Sequence, residues 1–343
     1  IRERESMKFL IRPAFALLVA LLSVPPSAAA DIEAGVNWLG QRDSGDGLHR
    51  ESDLVGPAMG NTEAWFTVQR LGATSRVPSL ASAASSGETT STILAARRAM
   101  AALDQGINVS DRVDALLRLQ DPSVGGFPSH SGYASDPLST ATVLALLDRV
   151  GRGGQTPAQR AITYLTSTQR ADGGWAAVQG GDSQAWTTAQ IAPVLLAFET
   201  RFALDAVLSR TRGYLLGRID ASGSAGSLHA TALVLEALLQ LRADRAALQA
   251  SASLIDAAQG ADGSFSNELY QTAVALRALH AWAQPPVDPQ RATLRGRVIA
   301  ADTSLPITGA SFVLQGAANA SLVSDNRGEL NASNLVGGNY TAR

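Results

Sequence analysis

The chain has 343 residues, 45% hydrophobic and 17% charged, with a formal net charge of -2 and no cysteine. That is enough apolar material for a large core and a length that suits two domains. It gives no general electrostatic case for nucleic acid or an acidic membrane, and no means of building disulfides, thiolate nucleophiles or Cys-ligated zinc.

Residues 1–30 read as upstream residues and a signal peptide, with the true start at Met7. Lys8 and Arg12 form the positive region, and "AFALLVALLSV" is too short to span a bilayer comfortably. Ala28-Ala29-Ala30 then forms a cleavage site before Asp31. The expectation is an exported bacterial protein, periplasmic or extracellular, with no stable membrane span after cleavage. The alternative is an anchor that stays on.

From there the chain repeats itself. "YLTSTQRADGGWAAV" (164–178) is a helix end, a Gln, a tight turn and an indole, built on Gln169, Asp172, Gly173, Gly174 and Trp175. The pattern recurs with Gln120, Gly125, Gly126 and Phe127, and again with Gln259, Asp262, Gly263 and Phe265. A looser copy surrounds Gln41, and 215–225 is a degraded copy without Gln or aromatic. A period of roughly 40 to 50 residues signals a repeat architecture.

Each period holds two helical patterns. The one before the motif is amphipathic and reads as an outer helix. The one after it is poor in charge and reads as a helix surrounded by others. The inner helices align on Thr140-Ala141, Thr188-Ala189, Thr231-Ala232 and Thr272-Ala273, with weaker members at Thr67-Val68 and Thr92-Ile93. Six hairpins predict a mainly α chain, an (α/α)6-type toroid over 31–283, irregular near 71–87. A Pro-rich linker follows over 284–292. Residues 293–343 then alternate in the β manner and predict a small β-sandwich that stops with a strand just begun. An exposed, unfinished edge is a liability, so further C-terminal domains are expected.

The motif around Gln169 resembles the QW repeat of squalene–hopene-type terpene cyclases and the wider prenyltransferase/squalene oxidase repeat, over about 33–283. The tail resembles the carboxypeptidase regulatory-like (transthyretin-like) domain through Gly309-Ala310, Asp325-x-x-Gly328 and the Gly338-x-Tyr340 strand start. The first resemblance implies that the motif residues are structural. The Gln amide bonds free backbone groups at a helix end, the glycines take a tight turn, and the Trp covers the joint between hairpins.

The same resemblance implies three kinds of chemistry, none of which the residues here can build. The Asp-x-Asp-Asp acid run of the cyclases is missing, and "DRVD" (111–114) and "DSGDG" (43–47) read as solvated acids. Aromatics, which would line a carbocation cavity, are only 5%. The prenyltransferase zinc site and the thioester of complement-like toroids both need Cys. A carbohydrate-active toroid with a carboxylate pair survives.

Counting back four from each aligned Thr gives Glu63, Glu88, Asp136, Gln184, Ser227 and Glu268. Counting back two gives Trp65, Thr90, Leu138, Trp186, His229 and Tyr270. In register, these stand around one pole as a ligand mouth. Trp65, Asp136, Trp186, His229, Glu268 and Tyr270 are the candidate ligand-binding residues, and Glu63, Asp136, Glu268 and His229 the candidate catalytic ones. The bland reading is helix capping. His49 with Asp46 and Asp53 sits in a Gly-rich loop whose spacing does not match an EF-hand, and His130 and His280 have no partner at ligand spacing. Asn108, Asn319 and Asn331 stand in glycosylation-type triplets that nothing else supports. No metal or cofactor is expected.

The function expected is an exported non-catalytic binding or scaffold protein that holds a small molecule, glycan or peptide in the ring, without nucleic acid. The alternative is an enzyme, either divergent terpenoid cyclase/prenyltransferase-like or carbohydrate-active with carboxylates at the mouth.

Overall fold

A computed structural model describes residues 31–49, 53, 56–178, 180–284, 291–316, 320–336 and 340–342. The expected signal segment, residues 285–290 of the linker, Asn319 and Gly338 lie outside them. No described helix is long and apolar enough to cross a membrane.

Among the described residues twelve helices alternate between an outer and an inner layer. In chain order they are α1 (Ile32–Gln41), α2 (Pro57–Leu71), α3 (Leu80–Ser85), α4 (Thr92–Asp104), α5 (Ser110–Leu117) and α6 (Pro137–Arg149). The second half is α7 (Thr156–Thr168), α8 (Ala185–Leu196), α9 (Asp205–Leu216), α10 (Leu228–Gln240), α11 (Arg245–Ala257) and α12 (Leu269–Ala283). The even-numbered helices form a closed ring, each packed on the next, with α12 returning to α2. The odd-numbered helices lie outside. The fold is therefore an (α/α)6 toroid. Burial follows the charge pattern: α10 is buried continuously from Ala230 to Leu238, whereas α7 buries only one face, centred on Ile162 and Leu165. The weakly patterned stretch after Leu71 forms a 3-10 turn and the six-residue α3.

The repeated motif joins adjacent hairpins. Gln169 Nε2 donates to Gly173 O within its own turn, and to Val207 O and Thr211 Oγ1 on α9, the next outer helix. Gln120 does the same with Gly125 O and with Pro157 O on α7. Gln259 bonds Gly263 O and both the N–H and the C=O of Asp31, and so closes the ring. The Gln amide thus reaches the start of the following outer helix. Gly173 has φ +89 and backs onto the Arg210 carbonyl of α9, so a side chain there would be strained and would collide. Gly263 repeats this against Ala34 of α1. Asp172 Oδ1 accepts from Gly174 N and Ser183 Oγ. Close packing of Gly126 on Tyr164 and of Gly174 on Tyr214 leaves no room for a Cβ. Trp175, Phe127 and Phe265 are fully buried, and the Trp175 indole donates to Leu165 O.

The aligned threonines have a physical reason. The amide after each turn donates to the Thr hydroxyl of the coming inner helix: Phe127 to Thr140, Trp175 to Thr188, Ala225 to Thr231 and Phe265 to Thr272, at 2.8–2.9 Å. The degraded turn keeps its geometry by substitution. Ser251 on α11 bonds Gly223 O directly, at 2.6 Å, where Gln169 serves the intact copy.

Two short strands, β1 (Phe127–Pro128) and β2 (Ser135–Asp136), pair antiparallel ahead of α6. After α12 come β3 (Arg291–Arg297), β4 (Ser311–Gly316), β5 (Ala320–Val323), β6 (Glu329–Val336) and β7 (Tyr340–Ala342). They form a β3–β6 pair and a β5–β4–β7 sheet around Leu314, Leu322 and Ala332. Asp325 Oδ1 accepts from Arg327 N and Glu329 N, which makes the turn ending at Gly328. This β-sandwich rests on the pole where the inner helices end. Arg297 Nη1 donates to Arg149 O at 2.9 Å, and Arg327 Nη1 to Gln69 Oε1 at 3.0 Å.

Candidate functional site

The toroid has two poles and a lumen. At the pole where the inner helices begin, the side chains expected there divide into two groups. Asp136, Ser227 and Glu268 are N-caps, each accepting from the amide three residues on: Ser139 at 2.8 Å, Ala230 at 3.1 Å and Gln271 at 2.5 Å. Gln184 occupies the same position on α8 without a side-chain cap. The capping reading therefore accounts for one oxygen of Asp136 and one of Glu268. The others, Asp136 Oδ2 and Glu268 Oε1, are buried and have no protein partner. Neither has His229 Nε2. Burial pushes the Asp136 carboxyl above its ordinary value and the His229 imidazole below its own. His229 packs on Tyr270 with ring centroids 5.2 Å apart, and burial, followed by the nearby Glu63 carboxylate, pushes the Tyr270 phenol up. Trp186 is half-buried on α8.

Glu63, Trp65, Glu88 and Thr90 correct the expected register. Thr92 is the first residue of α4 rather than its fourth, which leaves Glu88 and Thr90 exposed in the preceding loop. Helix α2 starts at Pro57, well ahead of Glu63. Glu63 therefore lies inside the ring, and Trp65 is buried with its indole N–H on Asp104 Oδ2 at 3.1 Å. The loose turn around Gln41 sets the register of α2 on Asn61, whose Oδ1 accepts from Leu48 N at 2.9 Å, rather than on Thr67, and Thr92 has no motif turn before it. The loop around His49 also closes on itself, because Asp53 Oδ1 takes Arg42 Nη2 at 2.5 Å. Among the described residues no cluster of three His, Asp or Glu side chains forms a metal site.

The lumen holds what the sequence reading missed. An alternating chain of charges runs Arg97–Glu63–Arg277–Glu236–Arg70 across α4, α2, α12 and α10. Arg97 reaches Glu63 at 2.5 Å, Arg277 bonds both Glu63 and Glu236 (the latter at 2.7 Å), and Arg70 reaches Glu236 at 2.7 Å. Burial alone would raise the Glu63 carboxyl, but Arg277 and Arg97 outweigh it and hold the pKa at about 2. Both glutamates hold Arg277 above the ordinary guanidinium value despite its burial. The signal that could have found this chain is a lone charge in each otherwise apolar inner helix, "ALVLEALLQ" for Glu236 and "AVALRALHAW" for Arg277. Such a charge stays buried only with a partner.

Opposite this wall, α6 and α8 present Leu138, Ala141, Ala145, Ala189, Pro193 and Val194. Between them lies a cavity of ≈ 390 Å³, within the range of small-molecule pockets. One wall is ionic; the other is mostly apolar, with Thr142 and Gln190 also facing the cavity and Arg149 at its α6 end. His229 and Tyr270 are the second residues of α10 and α12, on the side of the charge chain toward the helix starts.

Neither a family model nor a curated protein matches this sequence. Solved structures do. The apo type II terpene cyclase MstE from Scytonema superposes with a TM-score of 0.57 at 18% identity, over 72% of this chain and 96% of that one. An unsaturated glucuronyl hydrolase specific for heparin gives 0.55 at 11% identity, over 74% and 95%. A possible member of the GH105 family from Salmonella enterica serovar Paratyphi A gives 0.53 at 13%, over 80% and 99%. At such identities the likeness establishes the α/α toroid and nothing finer. Two of these toroid neighbours are named enzymes.

Proposed function

We propose that the lumen is a chamber for one small amphipathic molecule, whose anionic group meets the arginines of the ionic wall and whose apolar part lies along α6 and α8. The observation that carries this reading is the pairing of a five-member charge chain, arginine at both ends, with an apolar wall across ≈ 390 Å³. The chamber belongs to an exported bacterial protein whose tail is carboxypeptidase regulatory-like; the leader-like residues 1–30 and the turns at Gly309 and Asp325 support that reading. Native mass spectrometry of the full chain, compared with its denatured mass, tests it. A retained extra mass that Arg277→Ala abolishes is the expected result. A bare mass at every gentle setting means that the charge chain only fastens helices.

The second reading is turnover at the pole where the inner helices begin, and the enzyme neighbours of the fold support it over the scaffold expected from sequence. Glu63 is held ionised by Arg277 and Arg97 and makes a poor proton donor. Asp136 is the better acid, with a raised pKa and one unpartnered buried oxygen. Glu268 and His229 are the remaining candidates on the same pole, with Trp186 and Tyr270 as ligand contacts. The neighbours' printed chemistries supply the probes: geranylgeranyl dihydroxybenzoate and an unsaturated glucuronyl saccharide from heparin. Turnover of either, lost in Asp136→Asn with unchanged melting temperature, is the expected outcome. Equal rates in both proteins would remove Asp136 from the chemistry.

A further inference from the structure

A second cavity, of ≈ 600 Å³, lies between the toroid and the β-sandwich, at the pole where the inner helices end. The toroid contributes Arg70, Arg149 and His280 to it, and the β-sandwich contributes Arg295 and Arg327. Among the described residues two carboxylates, Asp104 and Glu329, line it. Arg70 and Arg149 also line the lumen, so the two cavities share these walls.

The arginines are unequally satisfied. Arg149 pairs with Asp104, Arg70 with Glu236, and Arg327 approaches Glu329 at 3.7 Å and Asp325 at 3.8 Å. Arg295 has no hydrogen bond or ion pair among the described residues, although it faces Arg70. Beside it Arg297 Nη2 is buried without a partner. Burial, together with Arg277 and Arg295, pushes the Arg70 guanidinium down, and burial and Arg149 do the same to Arg297. Like charges are thus held together with too little counter-charge.

Cations at helix C-termini have an ordinary explanation, because the helix dipole and the last carbonyls favour them. That accounts for Arg297, which bonds the final carbonyl of α6. It does not account for Arg295, which sits on β3 and whose side chain bonds no carbonyl among the described residues. A group that neutralises several arginines at once, with oxygen acceptors in a fork, is an oxyanion.

We propose that the junction between toroid and β-sandwich is an oxyanion site, in which a sulfate, phosphate or carboxylate group bridges Arg295 to Arg70. The ligand ties the two parts of the chain together across the pole. This site is distinct from the lumen proposal, since Arg295 does not line the lumen.

The test is calorimetric titration of the full chain with inorganic sulfate, inorganic phosphate and acetate, at fixed ionic strength. Saturable binding of at least one anion is expected, and the order of the three names the acid group. Arg295→Gln weakens that binding about tenfold, as the loss of one charge-assisted bond should. Arg295→Lys recovers part of it, and Arg118→Gln, on the exposed end of α5, changes nothing. Arg295 is exposed and bonds nothing, so an unchanged melting temperature without anion confirms that Arg295→Gln folds. No saturable heat with any anion, or the same affinity in Arg295→Gln, overturns the site. Either result leaves the lumen reading standing on its own test.

Discussion

The pole and the lumen both bury carboxylates, and they do so by different means. Asp136 and Glu268 each spend an oxygen on a backbone amide of their own helix, three residues away. Glu63 and Glu236 spend theirs on arginines from other helices, with as many as 214 residues between partners. The first arrangement is local and survives in an isolated helix. The second exists only when the ring is closed. The caps therefore stabilise elements, whereas the charge chain stabilises, and polarises, the assembly.

The largest expected effect comes from cutting that chain at its centre. Arg277→Ala leaves Glu63 and Glu236 each with a single arginine, and should cost about 3–5 kcal/mol, the usual penalty for a stranded buried charge. Denaturant unfolding measures it, and a loss under about 1 kcal/mol would mean that the lumen is wet enough to solvate the glutamates. Acid unfolding sharpens the same contrast. Glu63 has a folded pKa of about 2 against an ordinary 4.5. Its contribution is therefore complete above pH 4.5 and is lost as the pH falls through 2. Glu63→Gln should flatten the stability curve in that window, by on the order of 3 kcal/mol. A wild-type curve already flat there would show Glu63 unpaired.

Next come the joints. Gln169→Ala removes three bonds donated to the turn and to α9 and two accepted from Arg210 of α9, and should destabilise by about 2 kcal/mol. Gln259→Ala should match it and additionally speed exchange of the α1 amides, since Gln259 holds Asp31 where the ring closes. Equal protection of α1 in both proteins would assign closure to packing alone. The smallest effect is at the caps. Ser227→Ala should cost about 1 kcal/mol, and Asp136→Asn only a few tenths, because Asn caps as well as Asp. A large stability loss in Asp136→Asn would make that carboxylate part of a network like that of the lumen.

How much could be read beforehand varies with the reach of the interaction. The alternating helices, the Gln turns and the four Thr-Ala registers were legible because each uses contacts between neighbouring segments. Thr188 lies only 13 residues from the Trp175 amide that it accepts. Thr92 fails because no motif turn precedes it, and Thr67 because the loose turn before α2 bonds Asn61 instead. Thr67 bonds Ala273 O across the closed ring, a contact that no local pattern encodes. The lumen chain was invisible for the same reason, although its lone charges in apolar helices were in view. Ser251 is the reverse case, a non-motif residue that preserves a motif bond in the turn where Gln is missing.

The sequence by itself determined the helical repeat, the hairpin joints and the change to β structure after α12. These follow from periodicity, turn-forming residues and short-range hydrogen bonds. Only the tertiary structure decided which charges meet, because closing the ring brings α2 against α12 and sets Glu63 beside Arg277. It also decided where the β-sandwich docks, and so which arginines face each other across the pole. Charge pairing in a buried lumen depends on distance in space, and a one-dimensional pattern carries that distance only between neighbours.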